Sequence, residues 1–219
     1  MGCLLYLSTI SRPDISFAVN YVSRQINKPR VSHWKMIERI FRYLRGTDNH
    51  GIFFDGNTEL RVYTDSNYGG SGGADMCSTS GLLIDNGGPI MWLTQKQKVT
   101  AISSAEAEYR AAVLGIQEVC WIRRVIKELK LQNVSKPTNI FIDNKASIHM
   151  LDNTEEGKVT KGKKHIEIKR KFINEHVNNT VSPVYIKSKE QIADVFTKPL
   201  SKGPFLYLKK KLLKEECWV

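Results

Sequence analysis

Four acidic residues stand where a carboxylate could do chemistry rather than simply meet water. Asp65 ends the β-type run LRVYT (60–64), and Asp143 ends the run NIFI (139–142). In open α/β sheets functional groups gather beyond the carboxyl ends of strands, so two adjacent parallel strands ending in Asp would set two carboxylates side by side. A single Asp in such a place serves equally well as the start of a turn. Glu108 falls in the first turns of a long predicted helix. Its neighbour Glu106 completes a capping box with Ser103 as N-cap, which occupies Glu106 with structure. Glu108 has no such duty and lies beside the stripe of Tyr109, Ala112 and Ile116. Asp194 sits in a closing predicted helix between Ile192, Val195 and Phe196, where the bland alternative is a solvated helical residue.

Carboxylates that converge repel one another and hold their protons more tightly, and a divalent cation relieves the repulsion. Oxygen-only donors suit Mg²⁺ or Mn²⁺, whereas zinc prefers His or Cys. Two such ions, roughly 3.5–4 Å apart, activate a water and stabilise the leaving oxygen of a phosphodiester without a covalent nucleophile.

The elements that must position these residues are legible as changes of hydrophobic period. A helix is predicted over Asp14–Gln25 and another over 33–45, with Trp34, Ile37, Phe41 and Leu44 as its apolar stripe, Ser32 as cap and Gly46 as stop. From Gly51 the runs GIFF, LRVYT, SGLLI, IMWLT and KVTAI read as strands, and Asn86-Gly87-Gly88 as a hairpin turn. A helix over Ala105–Lys130 follows, with Tyr109, Ala112, Val113, Ile116, Cys120 and Leu129 on one side. Then come the strand NIFI, a short helix over Lys145–Leu151, a helix near His165–Val177, a strand at Val181–Lys187, a helix at Lys189–Lys198 and a lysine-rich tail. The fold class is therefore α/β: a mixed sheet of three antiparallel strands continued by parallel ones, flanked by helices, with an N-terminal helical appendage. The expected division is 1–50 helical, 51–200 the α/β domain and 201–219 a basic tail.

Bulk properties narrow the partners. The chain has 219 residues, enough for one good core with an appended segment. Its formal net charge of +11 favours a polyanion such as a phosphate backbone, although charge alone does not single one out. No apolar run is long enough to cross a membrane, and Arg12 and Pro13 interrupt the N-terminal apolar stretch too early for a signal peptide. The widely spaced Cys3, Cys77, Cys120 and Cys217 form no CxxC pair, which argues for reduced thiols in a cytoplasmic or nuclear setting.

The motifs YTDSNYGG (63–70), STSG (78–81), SSAEAEYRAA (103–112), IDNKASI (142–148), KHIEI (164–168) and QIADVFTKPL (191–200) together resemble the ribonuclease H region of copia-type retrotransposon Pol polyproteins. The resemblance covers about residues 58–200, and residues 1–50, through RYLRGT, resemble the end of the preceding reverse transcriptase. It implies a ribonuclease H-like fold and an acidic quartet of Asp65, Glu108, Asp143 and Asp194. It also implies two Mg²⁺ or Mn²⁺ ions, an RNA–DNA hybrid as substrate, other Pol segments as partners, and a virus-like-particle context within the cytoplasm. The alternative is an inert or domesticated remnant that binds nucleic acid, as a Met start inside the polymerase-like stretch would suit. The sequence departs from the family at Asn67 and Tyr68, where Asp and Trp are common. The segment Lys187–Glu190 also lacks the His of many ribonucleases H. His165 reads as structural. The polymerase signature of a Tyr followed by paired Asp is absent from the sequence, so no DNA synthesis is expected. Nucleic-acid contacts are expected from the basic run 158–171 with Lys161, Lys163 and Lys164, from Lys96, Lys98 and Arg110, and from the tail KKKLLK. Ser103, Ser104, Asn67 and Asn144 are candidates for the 2′-hydroxyls that mark RNA.

Overall fold

The computed structural model describes residues 1–56, 59–69, 77–152 and 171–215. Five strands, β2 (Leu60–Asn67), β3 (Thr79–Asn86), β4 (Pro89–Lys96), β5 (Thr138–Ile142) and β6 (Val181–Tyr185), form one sheet in the order β4-β3-β2-β5-β6. β2 pairs antiparallel with β3, which turns tightly at Gly87 (φ 74°) into the antiparallel β4, and β5 and β6 join in parallel. This is the mixed sheet that the sequence leads one to expect.

Alternation along the central strand decides which layer each side chain meets. Val62 turns toward α4 (Ser104–Glu128), where it joins Ile116, Val119, Ile126 and Ile140 in the larger core. Gly115 makes the close approach possible, because a Cβ there would lie 2.7 Å from Thr64 Cγ2. α5 (Lys145–Asp152) completes this layer, with Ser147 Oγ donating to the Ala105 carbonyl at the head of α4. Tyr63 turns to the opposite face, where Ile192, Val195, Phe196, Leu208 and Leu212 form a second core.

That opposite face departs from expectation in three ways. Residues 202–212, expected as a lysine-rich tail, form the helix α6, whose Leu208 and Leu212 are buried on the sheet. Two 3-10 turns, Ser188–Glu190 and Ile192–Phe196, stand where a single helix was expected. The break between them is Gln191, fully buried, whose Nε2 donates to the carbonyls of Thr64 and Phe141. A side chain bound to two strands at once fixes its backbone away from helical geometry. The N-terminal segment has three helices rather than two: α1 (Gly2–Ile10), α2 (Ser16–Ser23) and α3 (Val31–Arg45). They sit against the sheet edge, with Trp92 Nε1 donating to Ser8 O at 2.6 Å and Asn20 Nδ2 to Thr94 O at 3.0 Å.

On α3 the inward stripe is Ile37, Ile40, Tyr43 and Leu44, while Trp34 and Phe41 are 62% and 53% exposed. Both stripes satisfy helical spacing, and a buried network chooses between them. Arg12 clasps Asp14 with both Nε and Nη2 and reaches Thr47, while the Tyr43 hydroxyl donates to Asp14. Removing one partner from a buried ion pair typically costs about 3–5 kcal/mol, so this network commits Tyr43 to the interior. The helix starts at Val31 with Arg30 as cap, not at Ser32, and stops at Gly46 as expected. Leu129, assigned to the buried face of α4, lies just past its end and is exposed. KVTAI is not a strand: β4 ends at Lys96, one residue before Gln97 N donates to Ser78 O at the end of the β3–β4 ladder. Of GIFF, Gly51 alone pairs: with His50 it forms the two-residue strand β1, set against Lys214–Glu215 (β7). Residues 171–176 are helical, and the rest of the helix expected from His165 lies outside the described residues.

Gly81 tests how tightly the 192–196 turn is seated. It faces Asp65 across the β2–β3 ladder, and a Cβ there would lie 2.7 Å from Thr197 Cγ2 and 2.8 Å from Ala193 O. Gly81→Ala is therefore expected to destabilise the chain by about 1–3 kcal/mol, read as a lower midpoint in urea denaturation with an unchanged m-value.

Candidate active site

Strand register assembles the first pair of carboxylates. Tyr63 pairs with Phe141 in the parallel β2–β5 ladder, and two residues further on the same register sets Asp143 level with Asp65. β2 runs on to Asn67 because β3 continues to pair with it, so Asp65 lies inside the strand rather than at its end. Glu108 reaches the same point from the second turn of α4, which is held by Ser103 accepting from Glu106 N. Carboxylate oxygens of Asp65, Glu108 and Asp143 all lie within 4.8 Å of one another.

Neighbouring groups orient each of them. Thr197 Oγ1 donates to Asp65 Oδ2. Asn144 Nδ2 donates to Glu108 Oε1 at 3.2 Å, while its own Oδ1 accepts from Ala146 N at the start of α5. Glu108 Oε2 is buried and has no hydrogen-bond partner. A buried unpartnered carboxylate oxygen is costly, and here it belongs to a cluster of hard oxygen donors, the donor set that suits Mg²⁺ or Mn²⁺. The residues present thus fit a divalent cation.

Asp194 adjoins this trio from the 192–196 turn, through Lys198. The Lys198 ammonium lies 2.8 Å from Asp194 Oδ1 and 3.8 Å from Asp65 Oδ2. Burial would lower the pKa of this amine, yet the charges of Asp65 and Asp194 leave it raised. Burial pushes Glu108 up to about 7, with the charges of Asp143 and Asp65 adding to the rise and the Asn144 hydrogen bond opposing it. Asp194 is raised by burial first and by the charge of Asp65 second.

The weaker candidates divide. Asn144 is in place beside Glu108, while the Ser103 hydroxyl is occupied as a helix cap and Ser104 is exposed. Lys96 pairs with Thr79, which pairs with Asn67, so it lies at the same end of the sheet as the acidic residues, and Lys98 follows it, exposed. Arg110 is engaged by Glu106 and Val99 O. Lys161, Lys163, Lys164 and His165 lie outside the described residues.

No family model matches the chain. Over 216 residues, 97% of its length, it is 37% identical to the retrovirus-related Pol polyprotein from transposon RE2 of Arabidopsis thaliana. Over 207 residues, 94% of its length, it is 34% identical to that from transposon TNT 1-94 of Nicotiana tabacum. The chain belongs to the copia-type retrotransposon Pol family. It spans 14% and 15% of the length of these two relatives. Among solved structures, LC11-RNase H1 overlaps 64% of this chain and 93% of its own at a TM-score of 0.45 and 15% identity. Strand order and direction, rather than that superposition, make the fold of this Pol segment ribonuclease H-like.

Four functional neighbours escaped the sequence reading. Lys198 was signalled by its four-residue step from Asp194, the spacing of a helical ion pair. Thr197, Gln191 and Gly81 act through contacts between segments distant in sequence, for which no local pattern exists.

A carboxyl group with a raised pKa in the folded state binds its proton more tightly there than in the unfolded chain, so stability is lost as pH rises from the unfolded toward the folded value. The melting temperature of the metal-free chain is expected to fall between about pH 5 and about pH 8, and Glu108→Gln to flatten that fall. Lys198→Met is expected to lower the melting temperature at the upper pH and to enlarge its rise on adding Mg²⁺. Thermal melts with EDTA or Mg²⁺ measure all three.

Proposed function

We propose that this Pol segment is a divalent-metal-dependent ribonuclease H that cuts the RNA strand of RNA–DNA hybrids. The observation that carries the reading is the convergence of Asp65, Glu108 and Asp143, drawn from three separate elements onto one point. Nothing structural is gained by gathering like charges, whereas metal-assisted hydrolysis of a phosphodiester uses such a cluster to hold its cations. Membership of the Pol family supports the same substrate class.

In this reading Asp65, Glu108, Asp143 and Asp194 hold two Mg²⁺ or Mn²⁺ ions. When bound, these lower the pKa of the attacking water and stabilise the leaving oxygen. The protein supplies orientation and charge. Thr197 fixes the rotamer of Asp65, and Asn144 that of Glu108. Glu108 and Asp194, whose pKa values burial raises, would hold such an ion as carboxylates. Lys198, at the cluster's margin beside Asp194, would offer its ammonium to a phosphate oxygen of the substrate. Lys96 and Lys98, at the same sheet end, hold backbone phosphates without reading bases. In the same reading Asn67, Ser104 and Asn144 contribute to recognition of 2′-hydroxyls, the feature that separates RNA from DNA. The proposed setting is a cytoplasmic virus-like particle or the nucleus. Among the described residues no helix is long and apolar enough to cross a membrane.

Asp65→Asn and Asp143→Asn are each expected to reduce cleavage of a labelled hybrid in Mg²⁺ by at least about a hundredfold, a loss of about 2.7 kcal/mol in transition-state stabilisation. Hybrid binding, measured by fluorescence anisotropy, should persist in both. Equal cutting by wild type and the double Asn variant, or undiminished cutting in EDTA, would refute the reading.

A further inference from the structure

One strongly charged surface is not used by the acidic site. α3 carries Lys35, Arg39 and Arg42 at steps of four and three, which places them on one ridge of the helix. All three are exposed, and none has a carboxylate partner among the described residues. Unpaired cations in a row repel one another; Arg42, in the last turn, complements the helix dipole, whereas Lys35 and Arg39 have no such local role. Glu38, the acidic residue of α3, borders the ridge, three residues from Lys35 and four from Arg42, but its carboxylate accepts from Trp34 Nε1 at 2.7 Å and makes no ion pair with the three among the described residues.

A largely apolar cleft joins Arg39 of the ridge to the margin of the acidic site. Arg39 lines a cleft between α2, α3 and the segment 195–205, and Lys198 lines the same cleft from its far wall. Lys198 is the residue whose ammonium touches Asp194. The cleft's single carboxylate, Asp14, is committed to Arg12 and Tyr43, so the positive rim meets no opposing free charge there. From Lys35 to Arg42 the ridge runs about 10 Å along the helix axis, at 1.5 Å per residue. Successive phosphates of one strand advance by about 3.4 Å along a duplex axis, so the ridge can meet two or three of them.

We propose that Lys35, Arg39 and Arg42 grip the sugar–phosphate backbone of the hybrid beyond the cleavage point, making the N-terminal helical segment part of the substrate surface. The proposal rests on the ribonuclease H reading for the identity of its ligand. The contact reads charge and spacing, not sequence. It makes α3 a second anchor, set across the cleft from the acidic residues, and the hybrid spans the two.

The test uses the full chain carrying Lys35→Gln, Arg39→Gln and Arg42→Gln. A control variant, Lys127→Gln, Lys130→Gln and Lys136→Gln, loses the same net charge at the opposite end of α4. Lys127 lies about 28 Å along that helix from Glu108. Anisotropy of a labelled RNA–DNA hybrid in EDTA reports binding without cleavage, so the result stands whether or not the chain cuts. The ridge variant should bind at least about tenfold more weakly near 0.1 M salt. The slope of log K against log salt should shrink by about 2–3, at roughly 0.9 per phosphate contact. The control should change little in either respect. With Mg²⁺ present, the ridge variant should raise KM and leave kcat near wild type. An unchanged salt slope, or equal losses in ridge and control variants, overturns the proposal. Failure of wild type to cut in Mg²⁺ would instead sink the catalytic reading, leaving the anisotropy to decide the ridge. Thermal melts check that both variants are folded. If the triple variant is not, Arg39→Gln with Arg42→Gln should still flatten the slope by about 2, and no flattening counts against the ridge.

Discussion

Holding Asp65, Glu108 and Asp143 within 4.8 Å of one another works against their mutual repulsion, and the rest of the architecture can be understood as the means of enforcing that proximity. Two of the three are fixed by a ladder register, which moves in whole residues and cannot drift by fractions of an ångström. The third arrives on a helix clamped to the same strand at Gly115. Lys198 then supplies a positive charge that makes the arrangement tolerable without a bound ion. Burial is the first cause of the raised pKa values of Glu108 and Asp194 and the neighbouring carboxylates add to it, while carboxylate charge holds Lys198 up against the same burial.

The opposite face of the sheet is organised around this demand. Gln191 ties the 192–196 turn to β2 and β5 at once, so that Asp194 and Thr197 share a frame with Asp65. α6 covers the turn from outside and reaches the N-terminal helices, where Phe205 meets the edge of the Tyr43 ring and Lys209 lies over its face. The helical appendage is thereby packed on the layer that positions one of the four carboxylates.

Much of this was legible in the chain itself, for physical reasons. β-type runs leading into Asp, a Ser103 cap at the head of the helix that carries Glu108, and a glycine-rich turn after Asp85 are local patterns, and local patterns survive without knowledge of the fold. The capping box itself is half-formed, because Glu106 accepts from Ile102 N instead of Ser103 N. The misassignments share the opposite property. Trp34 and Phe41 keep helical spacing as faithfully as Ile40 and Tyr43, and only the distant Arg12–Asp14 pair decides between the two stripes. The break at Gln191 comes from carbonyls 127 and 50 residues away in sequence. α6 was hidden by its lysines: Lys210 and Lys211 are exposed, but Lys209 is buried with its ammonium over the Tyr43 ring.

The borders of the sheet carry a consequence of their own. β4 is an outer strand, and Asn20 of α2 donates to its Thr94 carbonyl, spending a group that a foreign strand would need. β6 is the other outer strand, and its Pro183 has no N–H to offer. An apolar five-stranded sheet with open flanks invites edge-to-edge stacking of one molecule on the next. Here both flanks are blunted, one by a helix and one by an imino acid, so the sheet is guarded against growing into an aggregate.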